Sequence, residues 1–398
     1  MARDRRRSGH DADVVVVGGR VAGAATALLL ARRGVRVRLL ERAPERGTDT
    51  LSTLALMRAG VLQLDRWGLL GQVVAAGTPA VRRTTLHYGD DVRVLEVREK
   101  AGVGSLYAPR RTVLDPLLVA AAEEAGAEVR YGARVTGLLR DGRRVAGVTG
   151  RDGKGRDFSV RARLVVGADG VASRVAREVA APVTWQGTAS SACAFALFAG
   201  LPQEGYEWFY RPGASGGFIP TNDDLTLAWV GVPTDRFLAG LRHDMAAAFD
   251  RLLAEAAPEA VERVAAARRV GTLRGFPGLP GYLRQPWGPG WALVGDAGSF
   301  RDPLSAHGIT DALRDAELLA RAVVSGLAGD EEQEAAALAG YEARRDEVAL
   351  PLALTTDAVA SYRWTLAELE ELLLELSRGM NRELEMVAAL EPAGAVAA

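Results

Sequence analysis

Cysteine and histidine, which build disulfides and most protein metal sites, are scarce in this chain of 398 residues. It contains one cysteine, Cys193, and four histidines. A single cysteine excludes a disulfide framework and a cysteine-based metal site, and it fits a protein of the reducing cytosol. We therefore expect a cytoplasmic protein without a metal centre.

Lysine is also rare, because Lys100 and Lys154 are the only two among 49 basic residues. In a chain so rich in alanine, this arginine bias reflects a GC-rich genome better than a phosphate-binding surface. The net charge of −1 gives no attraction for nucleic acid or for an acidic membrane surface. We expect neither as a partner.

Long apolar runs are missing as well. The most apolar stretch, residues 14–31, is interrupted by glycines and Arg20 and falls short of the ~20 apolar residues that a membrane helix needs. The basic residues 1–11 precede no apolar segment with a cleavage site, so we predict a disordered tail rather than a signal peptide. No membrane span is predicted.

Residues 13–42 are the most informative part of the chain. They predict a buried strand over 14–17, a glycine turn, a helix over 24–33 and a second strand that ends at Glu41. This is the pattern of the βαβ unit that binds a dinucleotide. An acidic residue about 20 positions after the turn is placed to accept both ribose hydroxyls, and Glu41 occupies that place. Two free hydroxyls suit FAD or NAD.

The turn departs from the fingerprint G-x-G-x-x-G at one position. Gly18, Gly19 and Gly23 let the backbone turn sharply and approach a pyrophosphate, whose charge suits the helix N-terminus. Arg20 stands where the second glycine is expected. Taken alone, the stretch also fits a generic strand–turn–helix unit, and that interpretation stays open at this point.

Three further motifs follow in order along the chain. GADGVASR at 167–174 and GDAG at 295–298 each come directly after an apolar strand, and DPLSAHGI at 302–309 opens a helix. Residues 181–233, between the first two, are rich in aromatic side chains and include period-two alternation, which predicts a β-sheet.

With these four motifs the chain resembles the FAD-dependent aromatic hydroxylase and geranylgeranyl reductase superfamily, the p-hydroxybenzoate hydroxylase-like flavoproteins. The resemblance spans residues 12–345. It implies an α/β fold with a Rossmann-like FAD-binding domain, an inserted antiparallel β-sheet substrate domain and a helical C-terminus. The implied boundaries are 1–11 for the tail, 12–80, 100–180 and 271–345 for the FAD-binding domain, 81–99 and 181–270 for the substrate domain, and 346–398 for the C-terminal helices.

The resemblance also implies which residues contact FAD. Glu41 would bind the adenosine ribose, Arg111 would lie along the ribityl-phosphate side, and Asp296 would accept hydrogen bonds from the ribityl chain. A solvated arginine at a helix start is the alternative interpretation of Arg111, and it stays open. The expected cofactor-binding residues are Gly18, Gly19, Arg20, Gly23, Glu41, Arg42, Arg111, Val135, Asp169, Gly295, Asp296, Gly308 and Ile309.

The motif DPLSAHGI is expected to meet the reactive part of the flavin. A helix that begins near Gly308 would direct free N–H groups and a positive dipole end at the pyrimidine edge, where reduced flavin is anionic. Pro303 would wall the reacting side. His307 is the candidate donor to flavin or substrate, although a side chain packed at the rim of the loop fits it as well. Ala306 and Thr310 replace a glycine and an asparagine of the hydroxylase pattern P-x-x-G-x-G-x-N.

The aromatic sheet would lie over the flavin, so its side chains are candidates for the substrate pocket. Ordinary core packing explains aromatic strands too, and the choice stays open. The expected substrate residues are Phe195, Trp208, Tyr210, Phe218 and Trp229, with His87 on a neighbouring predicted strand.

The function that the resemblance implies is that of an FAD-dependent monooxygenase. NAD(P)H would reduce FAD, O₂ would form a flavin hydroperoxide, and its distal oxygen would hydroxylate or epoxidise an aromatic or polyketide-like small molecule of secondary metabolism. An FAD-dependent reductase or desaturase acting on a C=C bond is the main alternative. A flavin halogenase fits less well, because its chemistry uses a pocket lysine and both lysines of this chain fall in polar turns or charged segments. A non-catalytic FAD-stabilised binding protein also remains open.

Electron supply and assembly are less determined. No second nucleotide-binding fold is predicted, so NAD(P)H would bind transiently or a separate flavin reductase would deliver the electrons. Heptad-like leucines over 366–380 predict a packed amphipathic helix or, second, a dimer seam. Monomer and homodimer both stay open.

Overall fold

The computed structural model describes residues 10–50, 52–236 and 244–391. Most of the tail predicted over 1–11 lies outside these ranges. The described residues form two large β-sheets, a small third sheet and a set of helices, which confirms the predicted α/β architecture. No helix within them has the length and apolar character to cross a membrane.

The first sheet has eight strands and a parallel centre. β1 (Ala12–Val17) pairs in parallel with β2 (Val37–Leu40) and with β8 (Asp157–Gly167). Its valines are buried because both faces of the sheet are covered. The remaining strands are β5 (Glu128–Arg130), β6 (Arg134–Asp141), β7 (Arg144–Arg151), β16 (Trp287–Gly288) and β17 (Trp291–Leu293).

Several helices share one core with this sheet. Among them are α1 (Val21–Ala31), α4 (Arg111–Glu124) and α8 (Gly308–Leu327). Every residue of α1 except Ala22 is buried, which small and aliphatic side chains allow. A separate cluster holds valines of β7 and β8 together with Val17 of β1. The carboxyl ends of β1 and β8 thus come out between packed layers, where ligands of open α/β sheets bind.

The second sheet has seven strands. In spatial order they are β14 (Arg268–Phe276), β10 (Ser191–Ala199), β13 (Leu225–Pro233), β12 (Ala214–Thr221), β11 (Tyr206–Arg211), β3 (Arg83–Tyr88) and β4 (Asp91–Glu96). α6 (Met245–Ala256) and α7 (Val261–Ala266) pack on one face of this sheet. The opposite face packs against loops of the domain built on the first sheet and against the C-terminal helices.

Two long helices end the described chain. α9 (Glu331–Ala360) and α10 (Leu366–Ala389) each begin with a capping box, in which the N-cap and N3 side chains bond each other's backbone N–H groups. The other elements are α2 (Arg58–Arg66), α3 (Leu70–Ala75), α5 (Arg174–Glu178), the small sheet of β9 (Val183–Gln186), β15 (Tyr282–Arg284) and β18 (Ser299–Phe300), and 3₁₀ turns at Pro258–Ala260, Gly295–Ala297 and Pro303–Ser305.

Two expected domain boundaries fall inside elements. The boundary after residue 270 cuts β14, whose pairing with β10 carries the second sheet on to Phe276. The boundary after residue 345 cuts α9, which continues through Pro351 to Ala360. Pairing and helix continuity, which residue patterns alone do not show, set the limits there.

Candidate active site and cofactor cleft

The turn between β1 and α1 is so closely packed that its glycines are sterically required. Gly18 has a φ of +105°, and a Cβ there would lie 2.4 Å from the carbonyl oxygen of Ala168. A Cβ on Gly23 would lie 1.8 Å from the carbonyl oxygen of Gly18. The start of α1 is thereby held against the end of β8, as a phosphate-binding turn requires.

Glu41 closes the other side of this turn. Its side chain is buried, and its carboxylate accepts hydrogen bonds from the N–H of Gly19 at 2.6 Å and of Ala43 at 2.7 Å. Each carboxylate oxygen keeps a lone pair for a further donor. The position and the spare acceptor capacity fit a ribose diol. The adjacent Arg42 is exposed.

Two arginines share one buried carboxylate beside the turn. Arg20 Nη1 lies 3.1 Å from Oδ2 of Asp115, and Arg111 Nε donates to Oδ1 of the same side chain at 2.8 Å. Arg20 also donates to the carbonyl oxygen of Thr48. Two cations against one anion, at the N-terminus of α1, leave positive charge that suits a pyrophosphate.

Two expected cofactor residues lie at the edge of this region. The Asp169 carboxylate accepts hydrogen bonds from the Ser173 hydroxyl at 2.5 Å and from the N–H of Arg174 at 2.6 Å, so it braces the start of α5. Val135 is buried in the cluster that also contains Val17 of β1. The side chains of Asp169 and Val135 therefore stabilise the elements around the cleft.

Asp296 follows β17 and presents an exposed carboxylate. Its main-chain oxygen accepts from the Tyr282 hydroxyl at 2.6 Å, while its side chain accepts no hydrogen bond from the residues in the described ranges. A Cβ on Gly295, whose φ is +59°, would lie 2.8 Å from Cβ of Ala22. Asp296 is thus held close to the start of α1, and its free oxygens fit a hydroxyl-bearing chain such as the ribityl group.

The loop before α8 is fixed by a buried acid. Asp302 accepts hydrogen bonds from the N–H of Ser191 at 2.6 Å, the Ser191 hydroxyl at 2.5 Å and the N–H of Leu304 at 3.0 Å. Burial raises the pKa of Asp302 to about 6 against the opposing effect of these bonds. Ala306, where the hydroxylase pattern has glycine, adopts the left-handed conformation with φ 51°. The backbone therefore follows a path that glycine would take more easily.

The start of α8 faces open space. Gly308 is exposed although His307 and Ile309 are buried, and a Cβ on Gly308 would meet nothing within 4 Å. Thr310, in the place of the family asparagine, accepts a hydrogen bond from the N–H of Met57 at 3.0 Å, so it serves internal packing. An open approach to the first turn of a 20-residue helix fits a ligand that carries negative charge there.

One face of the second sheet forms an apolar pocket beside this loop. Trp208 and Tyr210 of β11, Phe195 of β10 and Trp229 of β13 share that face and one hydrophobic cluster. A cavity of about 10 Å³, which has room for about one water molecule, opens between the sheet and the loop. Its lining residues are Thr53, Ser191, Cys193, Trp208, Trp229, Pro303, Leu304 and Ala306.

Two expected substrate residues lie on the opposite face. Phe218 belongs to the cluster beneath α6, and His87 stacks on Phe209 at 4.4 Å and lies 3.0 Å from the Glu207 carboxylate. The expectation that they line the pocket is therefore corrected by the geometry. Strand side chains alternate between faces, and both faces of this sheet carry aromatic residues.

The C-terminal helices supply pocket residues that sequence patterns did not reveal. Tyr362 and Trp364, from the turn between α9 and α10, belong to the pocket cluster. The Tyr362 hydroxyl lies 2.6 Å from Oγ of Ser215 on β12. Cys193 also lies in the wall, and burial raises the pKa of its thiol to about 12, so it is not a nucleophile at neutral pH. No motif marks these positions.

His307 is buried rather than placed at the rim of the loop. Its Nε2 lies 2.5 Å from Oε2 of Glu383 on α10, and no side-chain exposure remains for either residue. It does not line the cavity, whereas Pro303 does. The structure thus separates the two residues that the motif had joined as catalytic candidates.

Comparison with known proteins gives one family for nearly the whole fold. The model of the family described as "FAD binding domain" matches residues 11–354. The match begins just before β1 and ends within α9. It leaves α10 outside.

Similar proteins differ in their reactions. The chain is 28% identical over 342 residues to digeranylgeranylglycerophospholipid reductase 1 of Methanococcoides burtonii, covering 83% of this chain and 79% of that protein. It is 27% identical over 414 residues to tetracenomycin A2 monooxygenase-dioxygenase of Streptomyces glaucescens, covering 92% and 70%. The solved structure of the myxobacterial chondrochloren halogenase CndH has a TM-score of 0.78 at 24% identity and covers 96% of both chains, which shows a shared fold.

Proposed function

This chain belongs to the FAD-binding domain family, and on that premise we propose that it is a monooxygenase that hydroxylates or epoxidises an aromatic or polyketide-like small molecule. Family and relatives make it an FAD-dependent oxidoreductase. The proposal concerns which reaction the cofactor serves.

The observation that carries it is the composition of the pocket beside the start of α8. None of the eight described residues that line the cavity is charged, and Trp208 and Trp229 give it flat aromatic walls. Such walls suit the face of a flat, apolar ring system, which would have to displace the surrounding side chains because the cavity itself has room for about one water molecule. They also keep water away from a reactive oxygen species. The relative from Streptomyces glaucescens, named as a monooxygenase-dioxygenase, supports the same choice.

The chain's own groups divide the binding work. Arg20, Arg111 and the glycine turn would hold the pyrophosphate, Glu41 the ribose, and Asp296 the ribityl chain. Bound FAD supplies the redox chemistry, since it takes two electrons from NAD(P)H and passes them to O₂. The first turn of α8 would stabilise negative charge on the cofactor, while Pro303 and the aromatic sheet would orient the substrate.

Reduction of a C=C bond is the second candidate, because Ser191 gives the cavity a proton donor. Ser191 lines the cavity and its hydroxyl donates to the buried Asp302, whose pKa of about 6 allows it to take up and release a proton near neutral pH. A C=C reductase needs such a proton together with a hydride. The relative from Methanococcoides burtonii is named as a reductase.

Halogenation has no comparable support. Lys100 pairs with Glu385 at 2.8 Å on the surface, and Lys154 is exposed in a turn. Neither lysine lines the cavity.

Labelled oxygen separates the two candidates. The FAD-loaded protein is incubated with NAD(P)H, isotopically labelled O₂ and a panel of polycyclic aromatic and polyprenyl compounds, and products are analysed by mass spectrometry. A monooxygenase places one labelled oxygen in the product and does nothing without O₂. A product that gains two hydrogens under anaerobic conditions would instead establish the reductase.

A further inference from the structure

The C-terminal helix places a buried carboxylate at the cofactor end of α8. Glu383 of α10 has no exposed side-chain surface, and its Oε1 accepts a hydrogen bond from Arg314 Nη1 at 2.7 Å. Its Oε2 lies 2.5 Å from His307 Nε2. α10 lies beyond residue 354, where the family match ends. This chain thus completes its cofactor end with a helix outside the family domain.

In the cluster around His307, Glu383 has no cation of its own other than the imidazole, because Arg314 is shared by three carboxylates. Arg301 pairs with Asp311, and Arg314 donates to Asp315 from Nε at 2.9 Å and from Nη2 at 2.7 Å. With a neutral His307, the buried Glu383 carboxylate would depend on this shared guanidinium alone, and an incompletely paired buried charge is costly. The ring contacts Glu383, and the ion pairs continue from there to the other charged groups of the cluster, which are Arg301 from the preceding loop, Asp311, Arg314 and Asp315 from α8, and Arg345 from α9 beside Asp315.

The pKa shifts differ among the three carboxylates, since burial raises the pKa of Asp315 against the effect of Arg314. Burial opposes the charge on Glu383, but His307 and Arg314 hold its pKa below the usual value. The same holds for Asp311, whose pKa is lowered by Arg301 and Arg314 against its burial. Both carboxylates are therefore ionised at neutral pH, and each needs a cation.

A metal ion is a poorer occupant of this cluster than a proton. His307, Asp311 and Glu383 each offer one ligand atom, and these atoms lie within 4.8 Å of one another. However, Arg301 and Arg314 already donate to the two carboxylates, so an added cation would face two guanidinium groups. The ring of His307 still has an unpartnered hydrogen-bonding atom, because its buried Nδ1 has no hydrogen-bond partner among the described residues.

We propose that Glu383 holds His307 as an imidazolium at the start of α8, and that this cation raises the reduction potential of bound FAD. His307 is the residue directly before Gly308, the exposed glycine that opens the first turn to a ligand. Its charge adds to the positive end of the helix dipole and favours the more negative, reduced cofactor. A carboxylate that accepts from one ring nitrogen stabilises the doubly protonated ring in this way. Glu383 is thus a positioning residue.

The inference rests on FAD bound at α8, as in the proposed function, but on neither oxygen transfer nor C=C reduction. The midpoint potential is measured without substrate, by reductive titration of FAD-loaded protein against a reference dye. Failure of every substrate would therefore refute the proposed function and leave the inference to be decided by its own result.

Three variants form the test: His307→Gln, Glu383→Gln and the double variant. We expect each single variant to disfavour the reduced flavin at least tenfold at fixed potential, which is ~30 mV for a two-electron couple. The double variant should resemble Glu383→Gln, because both proteins lack the imidazolium and the Glu383 anion, whereas His307→Gln keeps that anion and should shift the potential at least as far. Glu317→Gln is the matched control, since Glu317 is equally buried on α8 but more than two turns further along, where it bonds Gln63 and Arg321. Its potential should equal that of the wild type.

The direction in which Glu383→Gln shifts the midpoint potential of the flavin decides the test. If the cation did not depend on Glu383, removing this anion would make the flavin easier to reduce. A raised potential, or an unchanged one with full FAD occupancy, overturns the proposal.

Nitrogen NMR of a holoprotein that keeps both His307 and Glu383 tests the same point without altering the pair. The protein has only four histidines, so the ring signals of His307 are resolvable by replacing the other three. We expect both ring nitrogens of His307 to be protonated at neutral pH. A signal of an unprotonated ring nitrogen overturns the proposal.

Discussion

The cofactor turn and the aromatic pocket are built in opposite ways. The turn occupies one continuous stretch, in which Gly18, Gly23 and Glu41 stand at fixed spacing and backbone sterics decide each identity. The pocket gathers Thr53, strands of the second sheet, the loop before α8 and the turn at Tyr362. Side chains on one face of a sheet define it.

This difference separates a part that tolerates almost no change from a part that can vary. In the turn, an added methyl group meets another stretch of backbone, which has no alternative position. In the pocket, an altered side chain meets other side chains, which can repack. We therefore expect substitutions in the turn to cost cofactor binding and substitutions in the pocket to change substrate binding.

The severest test is Gly23→Ala. The new Cβ would lie 1.8 Å from the carbonyl oxygen of Gly18, so the turn must open. We expect loss of bound FAD and a loss of at least ~3 kcal/mol in the free energy of unfolding. The FAD-to-protein ratio from absorbance and denaturant unfolding measure both.

Gly340→Ala is the control for Gly23→Ala. Gly340 is exposed on α9, and a Cβ there meets nothing within 4 Å. Alanine at this helical position should stabilise the protein by up to ~1 kcal/mol. If both variants kept stoichiometric FAD, the steric account of the turn would be wrong.

The turn and the fold class were predictable because their signals are local. Gly18, Gly23 and Glu41 lie within one βαβ unit, and the spacing that reveals them is also the spacing that packs them. A cation at this turn, Arg20, was predictable too. Its sharing of Asp115 with Arg111 was not, since that contact joins the start of α1 to α4.

The pocket was predictable only in part because its signals are not local. Period-two alternation indicated strands, yet aromatic residues line both faces of the sheet, so Phe218 and His87 were assigned to the wrong one. Tyr362, in the turn between α9 and α10, and Glu383, on α10, lie in a part of the chain that no motif marks. Their roles depend on how α9 and α10 fold back.

On the pocket side, the pH dependence of stability tests Asp302. Its pKa rises from 3.8 to about 6 on folding, because burial disfavours the charged form. The native state therefore binds the extra proton, and this contribution to stability is present below pH 4 and lost as the pH rises through 6. The loss is on the order of 3 kcal/mol.

Asp302→Asn removes that titration. We expect its unfolding free energy to fall less than that of the wild type between pH 4 and pH 7, as measured by urea unfolding at a series of pH values. Parallel curves for the two proteins would show that Asp302 does not titrate in this range.

On the turn side, Glu41→Ala probes the ribose contact. Hydrogen bonds to a charged acceptor contribute about 1.5–3 kcal/mol, so FAD should bind roughly tenfold to a hundredfold more weakly. Isothermal titration of the apoprotein with FAD gives the value. Glu128→Ala, an exposed glutamate on the neighbouring β5, should leave the affinity unchanged. Equal affinities for both variants would remove Glu41 from the ribose site.

The smallest expected effects come from two neighbours on β11 that point to opposite faces. Trp208 lines the cavity, whereas Phe209 is fully buried between His87 and Phe218. Trp208→Phe should raise KM for the substrate by about tenfold, since lost aromatic contact of ~1.4 kcal/mol acts on binding. Phe209→Leu should instead lower the free energy of unfolding by about 1 kcal/mol and leave KM unchanged. Steady-state kinetics and denaturant unfolding of both variants distinguish the two faces of the sheet. A raised KM for Phe209→Leu would mean that residues on both faces shape the pocket.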